Sequence, residues 1–513
     1  MKRRATERFA PVAAVIALFV LVYCGPATRL LSATSGDSPP REGQAKDANG
    51  VSVRPPADES SVVVGKIGDY TITRDELRQR LLTEVRPRSE EYTGREELPT
   101  AESVLRTMVA EKAMIMEGRK QGLLSDQILS NYVERTRQRK LVGMVLMDYL
   151  SRNMSIEESD IDRAQKANPK LTREQAKVRA QQTKAKPLLE RFYKELVEKL
   201  QVKRVKENFA KASKIHDRLL HKPAEPRRET WIRNSQIRNE LSREEKNIAL
   251  ATYKGGQVTL EDWFKTLGDI VPPRRPRDLG TPAGVEKLLD RTLRPAIFAA
   301  EARARGFHKN EELLREIREL EDRSLLGKVR GEKMRDVPEP NDAQIKAYFD
   351  AHPEQFAKSA SLKVEQFWCD DLKTARKARA MLADGADFAA AKKACSSDDS
   401  DRPITLYPSG EGPFWDELSK GEPNEVVGPV KGFHGPGIAW RMVNILEKTP
   451  AEMQPYSDNV KNRAKWALHA ERRESLLDAY EKQLLEKYPH KIYAKRIKDI
   501  DPLAVTAPAK TAR

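Results

Sequence analysis

The chain is short of cysteine and of aromatic residues: three cysteines, and 6% Phe, Trp and Tyr, in 513 residues. Its seven histidines (His216, His221, His308, His352, His434, His469 and His490) stand far apart, and no Cys/His run has zinc-ligand spacing, so no metal site is expected. There is no Walker loop, no dinucleotide fingerprint and no serine-nucleophile motif, which leaves no cofactor to expect and no nucleotide to drive work. The apolar fraction is also lean, at 39% against 33% charged residues. That balance suits a mostly helical, elongated protein with thin cores and solvated faces. The length calls for two to four domains.

A formal charge of +16 invites an acidic partner. Lys and Arg, however, alternate with Asp and Glu along almost every helical stretch, the pattern of i,i+4 pairs and not of a basic face. Nucleic acid is therefore not an expected partner. Two basic, proline-rich stretches, His221-Lys-Pro-Ala-Glu-Pro-Arg-Arg228 and Pro272-Pro-Arg-Arg-Pro-Arg277, read as a linker and a loop.

Met1-Lys-Arg-Arg4 and Arg8 precede an apolar run, Pro11 to Cys24, the layout of a secretory signal or short N-terminal anchor within residues 1–34. The run is shorter than the roughly 20 residues a comfortable membrane span needs. Tyr23 stands where a lipidation box wants a small residue, so Cys24 is not expected to be acylated. Export to the periplasm or another extracytoplasmic space is expected; whether residues 11–24 stay as a membrane anchor is left open. Residues 35–60, rich in Ser, Gly, Pro, Asp and Lys, read as a disordered spacer.

An internal repeat follows. Ser61 to Leu77 reads as a strand, a turn, a second strand and a helix start, with Thr73 and Glu76 as a capping box. The pattern returns from Ile248 to Trp263, with Thr259 and Asp262 in the cap roles. Met116-Glu-Gly-Arg-Lys-Gln-Gly-Leu123 matches Ala300-Glu-Ala-Arg-Ala-Arg-Gly-Phe307, and Lys140-Leu-Val-Gly143 matches Ser324-Leu-Leu-Gly327. Asp160-Ile161 and Ala167-Asn-Pro169 match Gln344-Ile345 and Ala351-His-Pro353. The offset stays between 184 (Met116 to Ala300) and 186 (Thr73 to Thr259) residues. Each copy resembles the N-terminal chaperone module of SurA- and PrsA-type proteins. The first, residues 61–222, continues into a helix with Pro187 in its first turn and Leu188, Phe192, Leu196 and Leu200 on one face. The second, residues 223–355, is followed by a different stretch. Six of the eleven methionines (Met108, Met114, Met116, Met144, Met147 and Met154) lie in the first copy, as an apolar client surface or as core filler.

Residues 356–450 carry a strand, Leu362-Lys-Val-Glu-Gln-Phe-Trp-Cys369; a helix from Thr374 to Lys392 holding Leu382-Ala-Asp-Gly-Ala-Asp-Phe-Ala-Ala390; Cys395-Ser-Ser-Asp398; Lys420-Gly-Glu422; Gly428-Pro-Val-Lys431; and a last strand from Ala439 to Glu447. This order resembles the parvulin (PpiC-type) prolyl isomerases. The resemblance implies a histidine on the first strand, another on the last, and a Cys or Asp between them. Here those positions hold Gln366, Arg441 and Asp398, and the family's glycine-rich loop shrinks to Arg402-Pro-Ile-Thr-Leu406. Asp398 alone fits a catalytic role; Gln366, Phe414, Trp415, Trp440 and Arg441 are the expected peptide-binding residues. Cys369 and Cys395 fall where the family fold brings strand and loop near each other, so a disulfide or two separate buried thiols are both open. A long amphipathic helix from about Tyr456 to Tyr488, within residues 451–493, is expected to dock on a chaperone module, with residues 494–513 fraying into a basic tail.

The expected fold is α+β and mostly helical: two chaperone modules and one small parvulin-like domain. The expected function is ATP-independent binding of unfolded or extended client polypeptides, with the parvulin-like domain inactive and kept for peptide binding. One alternative is an active isomerase built around Asp398, Cys395 and His434. The other is a structural protein of envelope assembly.

Overall fold

The computed structural model describes residues 62–86, 98–224, 231–335, 337–397, 402–435 and 437–503. The signal or anchor, the 35–60 spacer and Asp398 lie outside them. No helix among the described residues is long and apolar enough to cross a membrane.

The elements run twice through one order. In the first pass, the hairpin β1 (Val63–Ile67) and β2 (Tyr70–Thr73) leads to α1 (Arg74–Val85), α2 (Ala101–Lys120), α3 (Gln127–Asn153), α4 (Glu158–Ala167), α5 (Arg173–Lys199), the short strand β3 (Lys203–Arg204) and α6 (Phe209–His221). In the second, β4 (Ala249–Tyr253) and β5 (Gly256–Thr259) lead to α7 (Leu260–Gly268), α8 (Pro282–Ala304), α9 (Glu311–Met334) and α10 (Asp342–Ala351). There a four-stranded domain intervenes: β6 (Ser361–Cys369), α11 (Leu372–Ala383), α12 (Phe388–Cys395), β7 (Ile404–Leu406), β8 (Val426–His434) and β9 (Gly437–Thr449). Helix α13 (Asp458–Lys487) and strand β10 (His490–Ile492) close the chain.

Local chemistry sets both helix starts after the hairpins. Thr73 accepts from the Glu76 amide at 3.3 Å while the Glu76 carboxylate accepts from the Thr73 amide at 2.6 Å. Thr259 and Asp262 repeat the box at 3.3 and 3.0 Å. Each cap satisfies orphan amides, a contribution of about 1 kcal/mol. The expected single helix from Thr374 to Lys392 is two helices. Gly385, at φ +91°, turns the chain out of α11, and Asp387 restarts it by accepting from the Ala390 amide. Pro187 is not in a first turn but inside α5, which starts at the capping box of Thr172 and Gln175. The Gln-, Ala- and Lys-rich turns ahead of Pro187 are strong helix formers, and their gain outweighs the cost of one interior proline.

Two compact units emerge, and they are not cut at the boundaries between the sequence copies. One takes in the described residues of Ser125–Asp322 and the other those of Thr34–Leu124 and Arg323–Thr511. In the first unit, β3 pairs with β4 in the sheet β3-β4-β5, completing the second hairpin with a strand that follows α5. In the other unit, β10 pairs with β1 in the sheet β10-β1-β2, completing the first hairpin with a strand that follows α13. The tail of each copy thus finishes the sheet of the other.

In the first unit, Leu250, Val258, Trp263, Phe264, Leu288 and Leu289 form the main core, to which α6 adds Phe209, Ala212 and Leu219. There Phe192 of α5 stacks on Tyr149 of α3 at 4.0 Å. In the other unit, Leu77, Leu81, Leu105, Val109 and Met114 meet Tyr480 and Leu484 of α13. The residues beyond Tyr493, expected to fray, are ordered through Leu503: Ile497 and Ile500 are buried in this same core, and Arg74 binds the Arg496 carbonyl and Asp499. Two isoleucines that can reach an apolar core are worth more buried than solvated. Farther along, Val460 and Ala464 of α13 pack on Ile345 of α10 and on Phe356.

Candidate functional site

The four-stranded sheet runs β7-β6-β9-β8, so β9 is covered on both edges and its inward side chains are buried on both faces. Alternation divides them. On one face Phe367, Cys369 and Met442 pack under α11 and α12 with Ala375, Ala378 and Ala391. On the other, Leu362, Val364, Val443 and Ile445 pack with Leu406 and Leu418. Arg441 belongs to this second face, opposite Trp368 on β6 and Val430 on β8.

Arg441 is 1% exposed, an unusual position for a guanidinium, and its surroundings are built for it. One amino group donates to Gln366 Oε1 at 2.8 Å, and the other forms an ion pair with Glu411, itself buried. The guanidinium carbon lies 4.9 Å from the centre of the Trp368 ring, a cation–π contact. Gly432 supplies the remaining space: a Cβ there would stand 2.7 Å from that carbon. Arg441 Nε is buried without a hydrogen-bond partner among the described residues.

Two of the expected peptide-binding residues, Gln366 and Arg441, are therefore in direct contact. Phe414 is close in sequence to Glu411 and lies edge-on to Phe433 at 5.1 Å. Arg86 lies 5.2 Å over the Phe433 ring and donates to the carbonyls of Gly435 and Gly437, and burial lowers its pKa. Trp415 packs half-buried against the Leu362 and Val443 core, where it serves the fold. Trp440 does not join the group. It sits one residue along β9, hence on the opposite face with Met442 and Cys369, under Lys431 at 5.4 Å. Asp398 lies outside the described residues; Ser397, just before it, donates to the Trp368 carbonyl at 2.8 Å.

Of the residues in the alternative isomerase set, His434 is exposed with its ring 4.6 Å from that of Trp368. Cys395 and Cys369 are both buried, and the two are not bridged. The stretch Ile404–Leu406, expected as a shortened loop, is strand β7 along β6, because Leu406 reaches the Leu362 core. Glu411 and Gly432 are the partners that sequence reasoning missed. A buried arginine demands a carboxylate, but several acidic residues between β7 and β9 could have supplied it, and only the fold selects Glu411.

The methionines do not make an open surface. Met114 is buried, Met108 and Met116 pack half-buried on the same core, and Met144, Met147 and Met154 are half-buried. An open groove lies elsewhere: between α4 and α5, about 850 Å³ is lined by Ala164, Ala167, Leu171, Val178 and Ala180 together with polar residues that include Arg163, Glu174 and Arg179, and Asp160 and Lys184 are paired beside it. No group of three or more His, Cys, Asp or Glu among the described residues could hold a metal ion.

The family described as the PPIC-type PPIASE domain matches residues 340–462, which takes in α10 and the first turn of α13 as well as the sheet. No curated protein matches the chain. Among solved structures, that of the SurA-like chaperones PEB4 and Cj1289 of Campylobacter jejuni is similar over 47% of this chain and 98% of its own, at 13% identity and a TM-score of 0.23. The peptidylprolyl isomerase PrsA of Bacillus cereus is similar over 50% and 97%, at 20% identity and 0.21. PrsA of Bacillus subtilis is similar over 55% and 83%, at 16% identity and 0.15.

Proposed function

We propose that this chain, whose residues 340–462 are a PPIC-type domain, is an exported, ATP-independent chaperone for unfolded or extended polypeptides, and that its PPIC-type domain binds peptide without turning it over. The buried Arg441–Glu411 pair carries the second half of that reading. Isomerisation lowers a rotation barrier of about 18–20 kcal/mol by desolvating and polarising the prolyl amide. The resemblance to parvulins puts two imidazoles at the positions of Gln366 and Arg441. Here the pair is an amide and a guanidinium bonded to each other, and the guanidinium is further bound to a carboxylate. An arginine keeps its proton at any working pH, so it cannot exchange one as an imidazole does.

Client binding draws on the α4–α5 groove, whose alanine, valine and leucine walls accept apolar side chains with little regard to sequence. Export draws on the basic start and apolar run of residues 1–24. The test is a cis/trans isomerisation assay on short prolyl peptides beside a binding assay with an unfolded client, for the wild type and for Asp398→Ala. We expect no rate above the uncatalysed one while the client binds in both. Turnover that disappears in Asp398→Ala makes the domain an active isomerase instead. A chain that binds no unfolded polypeptide is no chaperone, and an assembly role takes its place.

A further inference from the structure

A second, smaller cavity lies within the Ser125–Asp322 unit. It holds about 220 Å³ between α3, α7, α8 and the β4–β5 hairpin. Its walls mix Tyr253, Val258 and Pro295 with an unusual density of charge. Five cations line it (Arg135, Arg139, Lys265, Arg291 and Arg303) against three acids (Glu134, Asp262 and Asp269).

The acids are already engaged. Glu134 pairs with Arg137 at 3.1 Å and with Arg303 at 3.5 Å. Asp262 is the cap partner of Thr259, accepting from its amide and its hydroxyl at 3.0 and 2.9 Å. Asp269 is bonded to Arg135 at 3.0 Å, and Arg135 also donates to the Lys265 carbonyl at 3.1 Å. Lys265 itself pairs with Glu261 at 3.2 Å. The side chains of Arg139 and Arg291, both half-buried, make no hydrogen bond or ion pair with any described residue. The Asp269 carboxylate feels the charges of Arg135, Arg139 and Arg291.

We infer that this cavity is a carboxylate-binding site, in which the Arg139 and Arg291 forks take the carboxylate of an acidic peptide. A guanidinium presents paired donors that match the two oxygens of a carboxylate, and a half-buried site strengthens the pairing over its value in open water. The volume suits a single short acidic group, and the apolar walls suit the hydrocarbon that carries it. An Asp or Glu side chain and a chain-terminal carboxylate share this chemistry. The inference rests on the polypeptide-binding reading above and adds a preference for acidic segments.

Isothermal titration of the full chain with three Gly/Ser-rich peptides tests it. One carries a single Glu and an amidated end, the second a Gln and a free terminal carboxylate, and the third a Gln and an amidated end. At least one of the first two should bind about tenfold more tightly than the third. Whichever it is identifies side chain or terminus as the source. Arg139→Gln/Arg291→Gln should erase the difference, while Lys214→Gln/Arg243→Gln, an exposed pair with the same loss of charge, should leave it within about twofold. Should the double glutamine variant not fold, Arg139→Lys/Arg291→Lys keeps the charge, loses the fork and should still weaken the preferred peptide.

Equal affinity for all three peptides overturns the inference, as does an equal loss in the surface control, or competition by inorganic phosphate as effective as that by the carboxylate peptide. If an unfolded client binds but acidic peptides gain nothing, only this inference falls. If no polypeptide binds at all, the chaperone reading falls with it.

Discussion

At the scale of the residue, Arg441 is a buried guanidinium held on several sides at once. Burying a guanidinium and a carboxylate together costs several kcal/mol of lost hydration per ion, and only close pairing and hydrogen bonding recover it. Gln366, Glu411, Trp368 and the space left by Gly432 together provide that recovery. An asymmetry follows. Arg441→Met leaves Glu411 charged and alone, and Glu411→Gln leaves the guanidinium so; each should cost about 3–5 kcal/mol in urea denaturation. Arg441→Met/Glu411→Leu removes both charges and should cost less than either single change, since Gln366 is half-buried and can turn to water. Additive losses in the double variant would show that Arg441 and Glu411 are not an energetic pair.

At the scale of the element, α13 fastens the Thr34–Leu124 and Arg323–Thr511 unit, and two carboxyls make its docking on α2 sensitive to pH. Glu117 of α2 accepts from Lys487 at 2.6 Å and from the Tyr488 hydroxyl at 2.7 Å, bonds that hold it down to about 2. Its contribution is complete above the ordinary carboxyl value near 4.5 and is lost as pH falls through about 2. Glu481 of α13 behaves oppositely. Burial, helped by the charges of Asp478 and Glu111, pushes it up to about 7 against the pull of Arg330 and Arg80. Between about 4.5 and 7 the folded chain keeps a proton that the unfolded chain has released, so stability falls as pH rises through that window. Glu481→Gln should flatten this limb and stabilise the protein by about 1–2 kcal/mol at pH 8, with little effect at pH 4.5. Denaturant midpoints measured at both pH values decide it; an equal gain at both would mean that ionisation is not the cause.

The same elements show how far sequence carries. The hairpins and capped helix starts at Thr73 and Thr259 were legible because their signals are local, and the α13 stripe was legible because it repeats over many turns. The third strands were not. Lys203–Arg204 is two charged residues with no alternation, and His490–Ile492 is only three residues, His-Lys-Ile; each becomes a strand only because a hairpin edge awaits it. The order beyond Tyr493 depends on a core assembled from residues hundreds of positions away, and the Arg441–Glu411 pair on a sheet face invisible to a linear pattern. Trp440 falls on the face opposite Arg441 for a simpler reason: a one-residue step along a strand changes the face.

At the scale of the molecule, the two passes through the fold differ chiefly in what separates the fourth helix from the fifth. In the first pass only residues 168–172 join α4 to α5, while in the second the PPIC-type sheet lies between α10 and α13. Its entry and exit are adjacent: the Lys358 amide donates to the Glu452 carbonyl at 2.7 Å. Neighbouring ends are what permit a domain to be inserted without disturbing its host. The helical host keeps its own closures, since Phe356, Ile345, Val460 and Ala464 pack outside the sheet and β10 completes β1 independently of it. Among the described residues, the sheet is linked to the rest by Arg86, which binds the Gly435 and Gly437 carbonyls, and by Lys431, which binds the Leu503 carbonyl. Replacing residues 358–452 with a short Gly/Ser linker should therefore leave a chain that folds, with helical circular dichroism and a cooperative thermal transition. If the client groove is the one between α4 and α5, the shortened chain should also suppress aggregation of an unfolded client nearly as well as the full one, losing only what prolyl segments gain from the sheet. A shortened chain that folds but no longer holds clients would move client binding to the PPIC-type domain and leave the α4–α5 groove without a role.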